Sequence, residues 1–145
     1  MSAAFCKQDL PNNLFFALKE NFSLKLMLQT GEINFPNAHQ AEIRAIEHTN
    51  YQNMEFVFSA GLDNKLKVWT LDRTQNIFVP AEEKDLGSPV HCLQMLPDNI
   101  LVAGLENGSL SIWNLNNNSL NSMPAHQCAI SSLMRHDNYL VSGDV

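Results

Sequence analysis

The chain carries little positive charge, and this deficit narrows the classes of ligand that it can bind. Nine lysines and arginines stand against fifteen aspartates and glutamates in 145 residues, and the formal net charge is −6. Phosphate backbones are bound by clusters of lysine and arginine, and the sequence contains no basic run. We therefore expect no direct nucleic-acid binding by this segment.

Long apolar runs and a secretory leader are also absent. No window approaches the roughly 18 apolar residues of a membrane span, and the N-terminal MSAAFCKQDL lacks the basic start and apolar stretch of a signal peptide. The three cysteines include no C-x-x-C pair, which disfavours a disulfide framework and a zinc site of ordinary spacing. These absences predict an intracellular protein, cytoplasmic or nuclear, with reduced thiols, no membrane partner, no metal and no other cofactor.

Short apolar runs with period two dominate the chain, and turn-forming pairs such as Asp63-Asn64, Asp98-Asn99 and Asn107-Gly108 separate them. No stretch of ten or more residues has the pattern of an amphipathic helix. The sequence therefore predicts an all-β fold. Its predicted strands lie at 22–29, 55–60, 65–70, 77–80, 90–96, 100–103, 109–115, 129–134 and 139–142, and 14–20 is predicted as a strand followed by a turn.

Two polar segments lie between these runs. Residues 114–121 (NLNNNSLN) are asparagine-rich, and we interpret them as a solvated inter-strand loop rather than a sticky interaction segment. Residues 82–85 (EEKD) could form an acidic docking patch, but a solvated loop is the preferred interpretation.

An internal repeat runs through the chain. LPNNLFFALKENFSLKL at 10–26 aligns with LPDNILVAGLENGSLSI at 96–112, 86 positions later. A finer comparison aligns SAGLDNKLKVWTL at 59–71 with AGLENGSLSIWNL at 103–115, which puts Trp69 and Trp113 in register, and AHQAEI at 38–43 with AHQCAI at 125–130. Self-similarity at a fixed period is typical of repeat architectures. The repeat unit is about 40 to 45 residues long.

On these residues the chain resembles the WD-repeat β-propeller family, whose blades are four-stranded sheets of this length. The resemblance implies one partial propeller of about three and a half blades, at about 2–35, 36–84, 85–123 and, incomplete, 124–145. Trp69 and Trp113 are followed by Thr70 and Asn114, so neither has the Asp that names the family. Because propellers close with about four to eight complete blades, we expect a fragment of a longer propeller, or a chain that another chain completes.

Well-formed blades of this family contain a buried, hydrogen-bonded tetrad of His, Ser or Thr, Asp and Trp. The resemblance implies one complete tetrad, in blade two: His39, Ser59, Asp63 and Trp69. Partial tetrads are implied in blade three, with Trp113, and in blade four, with His126 and Ser142. The residue types suit such a network, because a buried indole N–H needs an acceptor and a hydroxyl can accept and donate at once. Blades one and three are expected to depend on apolar packing.

His39, Ser59 and Asp63 are also the residue types of a catalytic triad, which is the sharpest enzyme hypothesis that the sequence offers. Ser59 lacks the G-x-S-x-G context of a nucleophile elbow, so we favour the structural tetrad and predict no enzymatic activity. His91 beside Cys92 suggests a metal-ligand pair, but no further ligands follow at suitable spacing. A strand histidine whose neighbour packs inward is the preferred interpretation.

In this family the partner-binding face is formed by the turns before the first strand and between the second and third strands of each blade. Transferred to this sequence, that face implicates six residues: Gln40, Glu42, Arg44, Leu62, Glu106 and Gln127. Leu62 and Leu105 are apolar residues beside polar turns, and both partner anchoring and inward packing remain open for them. The resemblance therefore implies a non-enzymatic scaffold that binds other proteins or peptides.

A narrower resemblance, carried by residues 88–115 and 125–143, is to proteins that join a CCCH zinc finger to WD repeats. It implies an alternative function as a substrate-recognition or RNA-associated subunit of a larger CCCH zinc-finger or ubiquitin-ligase-type regulatory protein. The finger itself is not in this sequence.

Overall fold

The computed structural model describes residues 3–10, 13–18, 23–28, 31–35, 38–72, 74–75 and 77–145, with side chains from residue 38 onward. These ranges contain fourteen strands and one short 3-10 helix, Pro97–Asn99, which confirms the predicted all-β fold. The strands are β1 (Ala3–Leu10), β2 (Asn13–Leu18), β3 (Ser23–Leu28), β4 (Gly31–Phe35), β5 (Ile43–Tyr51), β6 (Met54–Gly61), β7 (Lys65–Asp72), β8 (Ile77–Asp85), β9 (Val90–Leu96), β10 (Ile100–Leu105), β11 (Ser109–Asn114), β12 (Ser119–Pro124), β13 (Ile130–His136) and β14 (Tyr139–Asp144).

Consecutive strands pair antiparallel and form separate sheets. The first three sheets have four strands each, β1–β4, β5–β8 and β9–β12, and the fourth has two, β13 and β14. Strand β5 lies beside β1 and β9, and β9 lies beside β13, so the first strands of successive sheets are neighbours. Propeller blades are arranged in this way, with their first strands innermost around an axis. The prediction of a partial β-propeller is confirmed.

The second and third sheets pair their strands in the same register around their tryptophans. Trp69 of β7 lies opposite Val57 of β6, and Trp113 of β11 lies opposite Leu101 of β10. The aligned sequence segments therefore occupy equivalent places in two successive sheets.

Apolar side chains fill the spaces on both sides of the third sheet. Between the second and third sheets, Phe58 and Trp113 meet edge to face with their ring centroids 6.1 Å apart, a favourable arrangement for aromatic pairs. Alternate residues of β10 point to opposite faces: Leu101 belongs to this cluster, whereas Val102 packs with Ile130 between the third and fourth sheets. The third sheet is thus buried on both faces, and the second and fourth sheets stabilise it.

The two polar segments predicted as loops are partly strand. Residues 82–85 form the end of β8 and pair with β7, and residues 119–121 begin β12, whereas 115–118 form a turn. Both strands lie at the outer edge of their sheets, and most of their side chains are exposed. They therefore lack the apolar alternation by which strands are recognised in a sequence.

The first sheet is described by its backbone. Strand β3 lies within the predicted strand 22–29, whose two end residues are outside the described residues. The side chains of residues 1–37 are outside them as well, and so is the expected apolar packing of blade one.

Candidate partner-binding face

Four side chains of the second sheet form one chain of hydrogen bonds. The Nε1–H of Trp69 donates to the Oγ of Ser59 at 2.9 Å, and this oxygen lies 2.7 Å from the Nε2 of His39. The Nδ1 of His39 lies 2.9 Å and 3.0 Å from the two carboxylate oxygens of Asp63. A neutral imidazole protonated on Nδ1 satisfies all four groups, because its Nδ1–H donates to the carboxylate and its Nε2 accepts the seryl O–H.

The network connects the loop before β5 to the turn between β6 and β7. Asp63, in that turn, accepts hydrogen bonds from the backbone N–H of Gln40 at 3.0 Å and of Lys65 at 3.2 Å. Asn64 has a φ of 66°, a left-handed conformation that asparagine adopts more readily than most residues. The carboxylate thus holds both the loop and the turn in place.

Burial and hydrogen bonding shift the pKa values of the two titratable members. Burial lowers the pKa of the His39 imidazole below its ordinary value, and this effect outweighs the hydrogen bond and charge of Asp63, which raise it. Burial would raise the pKa of the Asp63 carboxyl, but hydrogen bonds from Gln40 N–H and from His39 bring that pKa below its ordinary value. At neutral pH the network therefore contains a neutral imidazole and a carboxylate.

The same geometry disfavours Ser59 as a nucleophile. Its exposed fraction is 0 %, and its oxygen already contacts Trp69 and His39. Nucleophilic catalysis requires the reacting oxygen to meet a substrate, and in this conformation the Ser59 oxygen has no surface at which to do so.

The third sheet satisfies its tryptophan differently. The Nε1–H of Trp113 donates to the Oδ1 of Asn118 at 2.9 Å. The ammonium of Lys84, from the second sheet, donates to the same oxygen at 3.1 Å and lies 4.9 Å from the centre of the Trp113 ring, within the range of a cation–π contact. The expectation that this blade depends on apolar packing was incomplete, since an asparagine of the 114–121 segment supplies the acceptor.

The fourth sheet repeats half of the network. The Nε2 of His126 lies 2.7 Å from the Oγ of Ser142, the same separation as between His39 and Ser59. The Nδ1 of His126 lies 3.4 Å from a carboxylate oxygen of Asp144.

Backbone hydrogen bonds bring the loops of successive sheets to one end. Within the second sheet the N–H of Leu62 donates to the carbonyl of Glu42, and within the third sheet that of Glu106 donates to the carbonyl of Pro89, each at 2.9 Å. The N–H of Leu86, in the loop before the third sheet, donates to the carbonyl of Asn64, in a turn of the second sheet, also at 2.9 Å. Next, the N–H of His126 donates to the carbonyl of Gly108, also at 2.9 Å. We call the resulting surface the turn face; it consists of the loops at 38–42, 86–89 and 125–129 and the turns at 62–64 and 106–108.

The six residues predicted to bind partners lie on the turn face or at its border. Two of them, Glu42 and Leu62, are half-buried, and four are exposed: Gln40, Arg44, Glu106 and Gln127. The Nε of Arg44 lies 3.2 Å from a carboxylate oxygen of Glu42. Leu105 is buried in the cluster between the second and third sheets, so of its two open interpretations inward packing is correct.

The three acidic residues of segment 82–85 are paired with lysines. The Glu83 carboxylate lies 3.3 Å from the ammonium groups of both Lys65 and Lys67, and Asp85 lies 3.1 Å from Lys65. Glu82 pairs with Lys84. The segment is mostly exposed, as the interpretation of a solvated loop expected, but it is strand rather than loop, because it pairs with β7.

His91 and Cys92 point to different surroundings. The Nε2 of His91 lies 3.3 Å from a carboxylate oxygen of Glu106, whereas the half-buried Cys92 thiol packs between the third and fourth sheets, and burial raises its pKa to about 11. Among the described residues, no group of three or more His, Cys, Asp or Glu side chains is placed to hold a metal ion. The part of the chain that the structure describes also has no helix long and apolar enough to cross a membrane.

Comparisons with known proteins agree with this architecture. Residues 31–70 match the family profile described as "WD domain, G-beta repeat", a segment that includes the complete tetrad. The solved structure titled "Crystal structure of the computationally designed Ika4 protein" is similar with a TM-score of 0.73 and 21 % identity, over 99 % of this chain and 85 % of that chain. At this identity the likeness concerns the fold alone. None of the curated proteins matches the sequence.

Residues 31–70 are therefore similar to a WD40 repeat, in a chain whose sheets are arranged as a partial β-propeller. The narrower resemblance to CCCH zinc-finger proteins finds no support in these comparisons.

Proposed function

We propose that this chain is a non-enzymatic scaffold that binds other proteins or peptides on its turn face. One observation carries the proposal: the loops of successive sheets are held side by side by backbone hydrogen bonds while their polar side chains remain exposed. A surface that is rigid before binding loses little conformational freedom when a partner docks. The WD40 match supports the proposal, because such domains typically bind other proteins.

The exposed side chains indicate the chemistry of the partner. Arg44 presents a guanidinium, Glu106 a carboxylate, and Gln40 and Gln127 amides that both donate and accept. A surface of this kind suits an extended peptide with polar groups of both signs better than an apolar helix face.

A random-peptide phage library panned against the immobilised protein tests the proposal. The affinities of the selected peptides are then measured by fluorescence polarisation for the parent chain and for a variant carrying Gln40→Ala, Arg44→Ala and Gln127→Ala. We expect the triple variant to bind at least about tenfold more weakly, as is usual when central interface residues are truncated, with an unchanged melting temperature.

A matched control removes one glutamine and one arginine outside the turn face. Gln75 lies in the turn after β7, and Arg135 lies near the end of β13, next to the turn that leads to β14. Both residues are at the ends of their strands that are farther from the turn face. Gln75→Ala with Arg135→Ala should leave the affinities unchanged. Selected peptides that bind the triple variant as tightly as the parent chain would refute the proposal.

A further inference from the structure

An open cleft separates the second and third sheets at the end opposite the turn face. Strand β11 begins at the turn face, and the turn that follows it borders the cleft with Asn118. The cleft has a volume of about 200 Å³, and the most buried part of its lining consists of Phe58, Val68 and Trp113. Both of these sheets have four strands, so the cleft lies between two complete units of the fold.

The apolar face of β6 continues from the filled core into the cleft. Alternate residues of a strand share one face, so Met54, Phe56 and Phe58 lie on the same face of β6. Burial decreases along this face: Phe58 is 1 % exposed, Phe56 is half-buried and Met54 is 50 % exposed. Phe58 meets Trp113 edge to face, whereas Phe56 borders the open cleft. A further apolar group placed there would extend this packing and remove apolar surface from water.

The volume and the walls of the cleft fit one aromatic ring. An apolar cavity of about 150 Å³ lined by leucine, isoleucine and phenylalanine binds benzene, and this cleft is somewhat larger. Aromatic rings gain from edge-to-face or offset contacts with one another, and Phe56, Phe58 and Trp113 provide three rings for such contacts. A phenylalanine side chain therefore suits the cleft in size and in chemistry.

The mouth of the cleft is polar, and its charges balance. Two exposed residues border it, Glu82 and Asn118. One carboxylate oxygen of Glu82 pairs with the ammonium of Lys84, which leaves the other oxygen to accept a hydrogen bond. The oxygen of Asn118 accepts from Trp113 and Lys84, which leaves its NH₂ group to donate. An acceptor and a donor at the mouth match the N–H and C=O of a peptide backbone, which a free aromatic hydrocarbon lacks.

We propose that this cleft is a second binding site, which takes the phenylalanine side chain of an extended segment of a partner protein. The ring packs on Phe56, Phe58 and Trp113. The backbone at the same phenylalanine donates an N–H to the Glu82 carboxylate and accepts from the NH₂ group of Asn118. This site goes beyond the proposed function, because it lies at the other end of the sheets and recognises an apolar side chain.

The peptide acetyl-Gly-Gly-Phe-Gly-Gly-amide tests the proposal in an NMR titration of the isotope-labelled chain. The indole N–H resonance of Trp113 should shift and saturate. The indole N–H resonance of Trp69 is an internal control and should not shift, because Trp69 follows Val68 in β7 and so points to the opposite face of the second sheet. The same peptide with alanine in place of phenylalanine should bind at least about tenfold more weakly, because it buries no ring.

Changes at the mouth separate the contacts of the ring from those of the backbone. Glu82→Ala should weaken the phenylalanine peptide about three- to tenfold, the usual effect of one hydrogen bond. It should leave the binding of toluene, a second probe that has the ring and no N–H, unchanged. Glu83→Ala removes the same charge from the next residue of β8 and should bind the peptide as tightly as the parent chain. Ala81→Leu, at an exposed residue of the mouth, should block both probes without a change in melting temperature.

A saturating shift at Trp113 alone supports the proposal. It would be overturned by the absence of a saturable shift, by equal binding of the alanine peptide, by a shift at Trp69 without one at Trp113, or by undiminished peptide binding to Glu82→Ala or Ala81→Leu. Binding of toluene without binding of the peptide would also overturn it and assign the cleft to free aromatic molecules. The turn-face triple variant should bind the phenylalanine peptide as tightly as the parent chain, so this proposal and the proposed function can fail separately.

Discussion

The side-chain oxygen of Asn118 accepts hydrogen bonds from both the indole of Trp113 and the ammonium of Lys84, at 2.9 Å and 3.1 Å. Because Lys84 belongs to the second sheet and the other two residues to the third, this single oxygen links two sheets. A buried or half-buried donor that loses its acceptor costs more free energy than an average hydrogen bond contributes.

Asn118→Gly should therefore lower the free energy of unfolding by about 1–2 kcal/mol. Glycine accepts the positive φ of 57° at this position without strain, so the loss reports the missing acceptor. Asn118→Asp keeps an acceptor and should stay within about 0.5 kcal/mol of the parent chain. Urea unfolding followed by tryptophan fluorescence measures both, and equal stability of the two variants would contradict the assigned role.

Ser59→Ala should be among the most destabilising changes in the second sheet. It leaves the indole N–H of Trp69 and the Nε2 of His39 buried without their partner, and the expected loss is about 2–4 kcal/mol, since each unsatisfied group costs about 1–3 kcal/mol. Ser122→Ala, at an exposed serine of β12, is the matched control and should change stability by less than about 0.5 kcal/mol. A loss for Ser59→Ala no larger than that of the control would be incompatible with the network.

Stability should fall on acidification. The pKa of His39 is lowered in the folded protein, so as the pH drops below the ordinary imidazole value of about 6.5 the unfolded chain binds a proton that the folded chain does not. The free energy of unfolding then decreases until the folded imidazole is protonated as well. The lowered pKa of Asp63 extends this loss through the ordinary carboxyl range, at about pH 4.

Urea unfolding at a series of pH values from about 7.5 to 5.5 measures this dependence. The variant His39→Gln, which cannot titrate, should be less stable at pH 7.5 and should show a smaller pH slope. Identical slopes for the variant and the parent chain would assign the pH dependence to other groups.

Two glycines with a positive φ allow the contact between the third and fourth sheets to be tested, since only one of them lies at that contact. Gly108 has a φ of 82°, and a Cβ there would lie 2.2 Å from the carbonyl oxygen of His126. Gly87 has a φ of 72°, with open space around its Cβ position. Gly87→Ala should cost about 1–2 kcal/mol from backbone strain alone, and Gly108→Ala clearly more. Thermal unfolding of the two variants compares them, and equal losses would show that the contact with the 125–128 loop is unimportant.

Much of the architecture is readable from the sequence. The period-two apolar pattern predicts strands, because strands that pack between sheets must carry apolar side chains on their buried faces. The aligned segments around Trp69 and Trp113 predict a repeat in register, and the resemblance to the WD-repeat family implies four strands in each unit. Residues 81–85 of the edge strand β8 and the whole edge strand β12 escape this reasoning, since their side chains are mostly exposed and only cross-strand pairing makes them strands.

Part of the candidate site could also be predicted from the sequence, and part could not. The resemblance to the WD-repeat family implies His39, Ser59, Asp63 and Trp69 as a set, and the structure joins these four side chains by hydrogen bonds. The role of Asn118 had only a weak signal, an asparagine five residues after Trp113 in a turn-prone run.

The sequence by itself determined the strand periodicity, the repeat and the aligned positions of the tryptophans, because these follow from burial imposed locally and repeated along the chain. Only the tertiary structure decided that Lys84 and Asn118 meet over Trp113, that Leu105 packs inward, and that Ser142 contacts the imidazole of His126. The physical reason is that these contacts join residues of different strands or sheets. Which residues meet depends on how the sheets pack, and this packing cannot be read from a local sequence pattern.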